Sequence, residues 1–203
     1  MMLALGESAP PFALKGVDGQ VHTLADYDGA DVLVLIQACN HCPYVQASEE
    51  NFRSLQAEYA PQGVRVVAIN SNDPAMQPED AFEEMVARAE QEGFNYDYLH
   101  DEDQSLARAL GATRTPEVFV FDRNRRLVYH GAPTSSLLDH QSANVEGDDE
   151  LRDYLRDAVA AALGGRSPET TETPLLGCSV KSEYLELLRD PIRFVWREPS
   201  TAA

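Results

Sequence analysis

The chain has 203 residues, of which 43% are apolar, so it is long enough to bury one substantial core. It carries 34 acidic and 16 basic residues, a net charge of −18. A surface this acidic repels nucleic acid and anionic membranes, so neither is an expected partner. The acidity fits two interpretations equally: a surface that simply stays soluble, and an adaptation to high salt.

The N-terminal segment has no basic stretch and only a short apolar one, and no apolar run in the chain reaches about 18 residues. We therefore predict no signal peptide, no transmembrane helix and a cytoplasmic location. The chain has three cysteines, Cys39, Cys42 and Cys178. In a reducing compartment this usage favours redox or catalytic chemistry over a disulfide scaffold.

Hydrophobic periodicity predicts alternating strands and helices after a β-hairpin around Asp18-Gly19. In chain order the predicted elements are a buried strand at 31–38, a helix at 43–60, a buried strand at 64–70, a helix at 79–92, a short strand at 96–100, a small helix at 103–111, paired strands at 117–121 and 127–129, a surface loop at 132–147, and a helix that Asp148 or Asp149 caps and that ends at Ala162. The residues of this last helix predicted to face the core are Leu151, Leu155 and Val159.

This order predicts an α/β layer sandwich on a mixed sheet. We predict one domain over residues 1–164. A stretch rich in Gly, Ser, Pro, Glu and Thr at 165–176 then predicts an extended linker within a C-terminal extension, 165–203, that carries Cys178.

The most informative motif is Cys39-Asn40-His41-Cys42, at the junction of a buried strand and a helix. A thiol at a helix N-terminus meets unpaired backbone N–H groups and the positive end of the helix dipole, which stabilise the thiolate. The pKa of a free cysteine is about 8.5, and such positions lower it to between about 3.5 and 7.5. The motif therefore predicts a reactive thiol with a second thiol close enough to form a disulfide.

The spacing also predicts a role for each residue of the motif. We expect Cys39, with its sulfur toward solvent, to attack as the nucleophile, and Cys42 to resolve the mixed disulfide. His41 supplies a nearby partial positive charge that favours the Cys39 thiolate. Pro43 fits the first turn of the helix, where its missing N–H would have no partner.

A structural zinc site is the alternative interpretation of a CxxC motif, and it needs two further ligands. Besides the pair the chain offers only Cys178, and no two histidines stand at ligand spacing. We therefore expect no metal and no organic cofactor, only a redox-active disulfide between Cys39 and Cys42.

Two further segments complete a recognisable pattern: residues 5–14 near the start of the chain, and Thr115-Pro116 before a predicted strand. Together with the sequence CNHCPY at 39–44, they resemble the thioredoxin superfamily, most closely its peroxiredoxin-like or redoxin branch, the alkyl hydroperoxide reductase/thiol-specific antioxidant group. The resemblance covers about residues 3–163. It implies a thioredoxin-like three-layer α/β/α sandwich with an N-terminal β-hairpin and a C-terminal tail.

The resemblance also implies how the site binds its substrate. Pro116 would form a cis peptide bond beside the cysteine pair, leaving the backbone of Thr115 free to bind a substrate strand. Asn40 and Pro43 would line the same site. The implied substrates are protein or small-molecule disulfides and thiols, with a thioredoxin-like protein or a dithiol as electron donor. The implied oligomeric state is a monomer or a homodimer.

The chain departs from two family patterns. The Pro-x-x-x-Thr/Ser-x-x-Cys motif of peroxiredoxins is missing, because Val32 and Ile36 stand at the corresponding positions before Cys39. Thioredoxins bury a carboxylate on the strand that leads to the site, and here that strand is apolar. Glu117 is either a substitute proton acceptor for Cys42 or a solvated strand-edge residue.

Residues 177–181, Gly-Cys-Ser-Val-Lys, resemble a C-terminal element of the same subgroup. In one interpretation the tail returns to the cysteine pair with Cys178 as a third redox thiol or a lid. In the other, Cys178 is a buried, inert residue that anchors the tail. Further on, residues 184–188 predict a short helix and residues 194–196 an aromatic anchor or dimer contact.

Taken together, these features predict a thiol–disulfide oxidoreductase of the thioredoxin/redoxin type that uses its CxxC dithiol. One alternative is a peroxiredoxin-like thiol peroxidase with Cys39 as the peroxidatic thiol. The other is a non-catalytic redox-sensing or zinc-binding module.

Overall fold

A computed structural model describes residues 2–136 and 151–181 of the chain. The strands of these residues are β1 (Ala13–Gly16), β2 (Val21–Thr23), β3 (Val32–Ala38), β4 (Val64–Asn70), β5 (Asp97–His100), β6 (Arg114–Thr115), β7 (Glu117–Phe121), β8 (Leu127–Gly131) and β9 (Cys178–Ser179). The α-helices are α1 (Pro43–Tyr59), α2 (Phe82–Gln91), α3 (Ser105–Leu110) and α4 (Tyr154–Leu163). Apart from the short strands β6 and β9, which were not predicted, the order of elements is the predicted one, and the hairpin β1–β2 precedes it as expected.

The central sheet is mixed, as predicted. Seven strands lie in the order β2-β1-β5-β4-β3-β7-β8. β3, β4 and β5 run parallel to their neighbours within this group, and the remaining pairs are antiparallel. β6 and β9 form a separate two-stranded sheet. The carboxyl ends of β3 and β4 therefore meet at one edge of the sheet, where the chain continues into the cysteine motif and the segment before α2.

The two faces of the sheet carry two apolar clusters. Every residue of β3 is buried, and its side chains alternate between the faces. Val34 and Ile36 lie in a cluster with side chains of α1, α2 and α4, together with both cysteines of the motif. Leu33 and Leu35 lie in a second cluster with side chains of α3. Helices thus cover both faces, which confirms the three-layer α/β/α sandwich.

The last helix begins later than the sequence pattern predicts. α4 starts at Tyr154, and Asp153 is its N-cap, accepting a hydrogen bond from the Arg156 backbone N–H at 2.9 Å. Leu151 precedes this cap, so it is not on the apolar face of the helix, and it is 63% exposed. The prediction of Leu151 as a core residue is therefore wrong, whereas Leu155 and Val159 are fully buried as expected.

Residues 165–181 lie against the domain rather than away from it. The Thr173 backbone N–H donates to the His130 carbonyl at 3.2 Å, and β9 pairs with β6. The predicted domain boundary at 164/165 stays a prediction. Four predicted features lie outside the described residues: the cap at Asp148 or Asp149, residues 137–147 of the predicted loop, the short helix at 184–188 and the aromatic segment at 194–196.

None of the helices in the described ranges combines the length and the apolar character that crossing a bilayer requires.

Two leucines on either side of the observed helix start test its position. Leu155→Ala should lower the free energy of unfolding by about 2–5 kcal/mol, because it leaves a cavity in a fully buried position. Leu151→Ala should change it by no more than about 0.5 kcal/mol, because the side chain is exposed. Urea denaturation of both variants measures the difference. Losses of equal size would contradict the placement of the helix start after Leu151.

Candidate active site

The cysteine motif lies between the end of β3 and the start of α1. Cys42 is the N-cap of α1, and Pro43 occupies its first turn as predicted. Both cysteines are buried, Cys39 to 1% and Cys42 to 0% exposure. The expectation that the Cys39 sulfur faces solvent is therefore wrong, because residues distant in sequence surround the pair on sides that the motif alone does not reveal.

Thr115 contacts both cysteines. The peptide bond between Thr115 and Pro116 is cis, as the resemblance implied, and both residues are buried. The Thr115 hydroxyl lies 3.4 Å from the Cys39 sulfur. The Thr115 carbonyl oxygen accepts a hydrogen bond from the Cys42 thiol at 3.1 Å. Thr115 and Pro116 thus lie beside the cysteine pair, at the place predicted for a substrate platform.

His41 forms a hydrogen bond with a carboxylate that the sequence analysis missed. Its Nδ1 lies 2.6 Å from Oδ2 of Asp80, which is fully buried. Ligand atoms of Cys39, His41 and Asp80 all lie within 4.8 Å of one another. A cysteine, a histidine and a carboxylate this close together are the residue types of a histidine-assisted thiol, in which the carboxylate orients the histidine.

Hydrogen bonds hold Asp80 in place on several sides. The Asn40 backbone N–H donates to its Oδ1 at 2.6 Å, and the Asn72 side-chain amide donates to its Oδ2 at 2.7 Å. Asn40 itself is 6% exposed; its side chain donates to the Glu79 carbonyl at 2.8 Å and accepts from the Tyr98 hydroxyl at 2.9 Å. The Asn40 side chain therefore positions the motif instead of lining a substrate surface, which corrects the implied role.

The same three groups are the candidate metal ligands among the described residues. The two oxygens of Asp80, however, already accept hydrogen bonds from the Asn40 N–H, the Asn72 amide and His41. A carboxylate with this many donors has little lone-pair capacity left for a cation. The donor set therefore favours Asp80 as the residue that orients His41 over a role as a metal ligand.

The two thiols of the pair share a hydrogen bond that moves their pKa values in opposite directions. The pKa of Cys42 is lowered, first by the hydrogen bond from Cys39 and less by the hydroxyl of Thr115. The pKa of Cys39 is raised, first by the same hydrogen bond, then by burial and by the charge of Asp80. One proton thus leaves the pair readily, and Cys39 needs a nearby base such as His41 to ionise in its turn.

Glu117 is not a solvated strand-edge residue, so that interpretation from the sequence is wrong, whereas its role as a proton acceptor for Cys42 stays a prediction. It is fully buried and accepts hydrogen bonds from His130 Nε2 at 2.7 Å and from the backbone N–H groups of Thr113 and Arg114 at 2.8 and 3.0 Å. Alternation along β7 is the reason. Val118 belongs to the cluster of the cysteines, whereas its neighbours on the strand point to the other face.

The C-terminal tail returns to the cysteine pair. In the antiparallel pair of β6 and β9, Thr115 lies opposite Cys178. Arg114 Nη1 donates to the Gly177 carbonyl at 3.1 Å. Burial and the neighbouring Cys42 sulfur raise the pKa of the partly buried Cys178 to about 11. The backbone edge of Thr115, which was expected to bind a substrate strand, is thus paired with the chain's own residues.

Gly177 allows this close approach. Its φ is +147°, and a Cβ at this position would stand 2.0 Å from the Thr115 carbonyl oxygen. Any other residue would collide with the backbone that it faces. Beside the pair, Pro43 is exposed and His41 and Tyr44 are partly exposed, so these are the residues of the motif that solvent reaches.

Comparisons with known proteins agree with this geometry. The family model described as Redoxin matches residues 4–145. The crystal structure of an uncharacterized conserved protein from Geobacillus kaustophilus superposes with a TM-score of 0.77 at 37% identity, covering 90% of this chain and 94% of that one.

Two curated relatives have names that describe thiol chemistry. The thiol-disulfide oxidoreductase ResA of Geobacillus thermodenitrificans is 26% identical over 125 residues, 62% of this chain and 67% of its own length. A putative peroxiredoxin of Mycobacterium tuberculosis is 28% identical over 110 residues, 54% of this chain and 65% of its own length. The chain therefore spans about two thirds of these relatives.

Replacing the buried carboxylate tests its effect on the thiol. Asp80→Asn should slow the alkylation of Cys39 by iodoacetamide at pH 7 by about tenfold. Losing the charge-assisted hydrogen bond that orients His41 costs about 1.5–3 kcal/mol, and about 1.4 kcal/mol is tenfold in rate. Removing the Asp80 charge, which raises the Cys39 pKa, offsets only part of this loss. An amide cannot stabilise the protonated imidazole of His41 as a carboxylate does. Mass spectrometry of the modified peptides gives the rate.

Asp101→Asn is the matched control, because Asp101 is also fully buried and accepts hydrogen bonds from Ser71 and from two backbone N–H groups of α3. It should lower stability and leave the alkylation rate of Cys39 unchanged. A loss of rate of the same size in both variants would mean that Asp80 acts only through stability.

A methyl group at Gly177 tests whether β9 shields the pair. Gly177→Ala should displace β9 and raise the alkylation rate of Cys42, since the new Cβ meets the Thr115 carbonyl. Gly165→Ala is the control, because Gly165 also has a positive φ, +66°, but nothing lies within 4 Å of its Cβ position. Equal rates in wild type and Gly177→Ala would show that β9 does not limit access.

Proposed function

This chain belongs to the redoxin family, and on that basis we propose that it is a thiol–disulfide oxidoreductase that works through Cys39 and Cys42. The observation that carries the proposal is the hydrogen bond of His41 with the buried Asp80, with ligand atoms of both within 4.8 Å of the Cys39 sulfur. This arrangement gives one of the two thiols a base and an orienting carboxylate. The other thiol lies close enough to share a hydrogen bond with it.

The first step is the attack of Cys39 on a disulfide. His41 takes the proton of the Cys39 thiol, and the thiolate attacks one sulfur of the substrate. A mixed disulfide forms, and the other substrate sulfur leaves as a thiolate. We assign the attack to Cys39 because the imidazole and carboxylate stand beside it, whereas Cys42 donates to the Thr115 carbonyl on the far side.

The second step releases the reduced substrate and leaves the enzyme oxidised. Cys42, whose pKa is lowered, attacks the Cys39 sulfur as a thiolate, and the second substrate thiol leaves. The product is a Cys39–Cys42 disulfide and a reduced substrate. A thioredoxin-like protein or a small dithiol then returns two electrons to the pair. The substrates are thiols and disulfides, and the proposal extends to both proteins and small molecules.

The proposal includes a reducing compartment, with the cytoplasm as the predicted one. The three cysteines of the chain converge on a single site, so none is left over for a structural disulfide elsewhere. The monomer or homodimer state stays a prediction.

A paired turnover assay tests the reaction. Wild type should accelerate the reduction of insulin disulfides by dithiothreitol, and Cys39→Ser should fall to the rate of dithiothreitol alone. Hydrogen peroxide consumption with the same donor should be negligible in both. Peroxide turnover that depends on Cys39 would overturn the proposal and make the chain a thiol peroxidase.

The two single variants also test the assignment of roles. Cys42→Ser should accumulate a mixed disulfide between Cys39 and the substrate, because the resolving thiol is missing. Cys39→Ser should accumulate much less of the corresponding adduct on Cys42. Mass spectrometry after acid quenching identifies the adducts. The reverse result would assign the first attack to Cys42.

A further inference from the structure

The register of β9 directs the Cys178 side chain at the cysteine pair. Directly opposed residues of an antiparallel pair place their side chains on the same face. Thr115, which lies opposite Cys178, directs its hydroxyl at Cys39. The Cys178 side chain accordingly packs against the apolar cluster that contains both Cys39 and Cys42. Ser179, the next residue of β9, points to the other face.

Hydrogen bonds on both sides of Cys178 fix this position. The Val180 backbone N–H donates to the Thr113 carbonyl at 3.1 Å, and the Lys181 backbone N–H donates to Asn72 Oδ1 at 2.7 Å. Leu176 and Val180, at 9% and 3% exposure, supply the apolar anchorage of the tail. A role for Cys178 as an inert anchor would therefore add little to the attachment of the tail. Anchorage also does not explain why a thiol lies beside the cysteine pair.

Exposure distinguishes the three thiols. Cys39 and Cys42 are 1% and 0% exposed, whereas Cys178 is only partly buried. A disulfide confined to the first two therefore presents much less sulfur surface to a protein electron donor than one that includes Cys178. A disulfide that includes Cys178 offers the donor a sulfur that it can reach.

We propose that Cys178 is a third redox thiol, which receives the disulfide from the Cys39–Cys42 pair and presents it to the electron donor. This proposal rests on the proposed function for the origin of the Cys39–Cys42 disulfide. It adds a residue outside the CxxC motif to the reaction and names the donor's point of attack.

The exchange is balanced without any further oxidant. The Cys178 sulfur attacks the Cys42 sulfur, the Cys39–Cys42 bond breaks, and a Cys42–Cys178 bond forms. Cys39 leaves as the new thiol and takes up the proton that Cys178 loses. A dithiol donor then attacks Cys178, and its two electrons reduce the Cys42–Cys178 disulfide to two thiols while the donor becomes a disulfide.

Disulfide mapping in the full-length chain tests the pairing. Cys39→Ser, equilibrated with glutathione and its disulfide, should form an intramolecular Cys42–Cys178 disulfide as its main oxidised product. Wild type under the same conditions should contain both Cys39–Cys42 and Cys42–Cys178. Peptide mass spectrometry after acid quenching identifies each bond, and circular dichroism checks that the variants are folded.

The matched control moves the thiol by one residue. In the triple variant Cys39→Ser, Cys178→Ser, Ser179→Cys, the tail thiol stands on the opposite face of β9. It should form at least about tenfold less intramolecular disulfide at about 1 mM total glutathione, because the millimolar effective concentration of a well-placed thiol is lost. Equal yields in the two variants would overturn the proposal, since tail motion alone would then explain the bond.

Turnover with a protein donor tests the assigned role. Cys178→Ser should slow reduction of the oxidised site by a thioredoxin at least about tenfold, because the site then lacks the accessible, well-placed thiol that takes over the disulfide. Its reduction by dithiothreitol, which is small enough to reach a shielded disulfide, should change much less. A Cys178 that stays free at every glutathione ratio, or equal rates with the protein donor, would overturn the proposal.

The results separate this proposal from the proposed function. Insulin reduction by wild type together with a Cys178 that never pairs would overturn the third thiol alone. A mapped Cys42–Cys178 disulfide without insulin reduction would overturn the oxidoreductase activity and leave the thiol exchange in place.

Discussion

Contacts of one residue, Thr115, hold the three cysteines of this chain together. Its hydroxyl lies 3.4 Å from Cys39, its carbonyl accepts from Cys42 at 3.1 Å, and its backbone pairs with Cys178. These contacts require the backbone around Thr115 to be fixed in place. Glu117 does so through the backbone N–H groups of Thr113 and Arg114, and β7, which begins at Glu117, is itself fixed against β3.

Two buried carboxylates stabilise the surroundings of the site by the same physical means. Asp80 and Glu117 are both fully buried, and each accepts hydrogen bonds from the backbone and from a histidine, Asp80 from one backbone N–H group and Glu117 from two. An unpaired carboxylate in these positions would be destabilising by several kcal/mol, of order 3–5. Asp80 orients His41 beside the thiols, whereas Glu117 and His130 hold the loop that carries Thr115.

The sequence predicts most of the fold because its central strands are buried on both faces. The continuous apolar runs of β3 and β4 and the strand β7 leave little freedom in how the sheet is assembled. The last helix is the exception. Leu151 has the spacing of a core residue, but spacing does not show that Asp153 takes the role of the cap.

In the site, the motif at 39–42 can be identified from the sequence because its four residues are consecutive. Asp80 was missed because it lies about forty positions away in a polar segment. A usable signal did exist. β3 and β4 are both buried strands, and if they are parallel their carboxyl ends meet, so polar residues after β4 belong beside the cysteines. The burial of Cys39 was harder to predict, because it depends on contacts with Thr115 and with residues distant in sequence, and the sequence left the position of the tail open between two interpretations.

Asn72 gives this tail an influence beyond its own contacts. Its side-chain oxygen accepts from the Lys181 backbone N–H, and its side-chain nitrogen donates to Asp80, the partner of His41. Reciprocity of free-energy coupling then holds between the two ends of this amide. By whatever factor the seated tail favours the hydrogen bond between His41 and Asp80, that hydrogen bond favours the seated tail. Protonation or oxidation at the site and release of the tail are thus coupled equilibria, so that a change in one shifts the other.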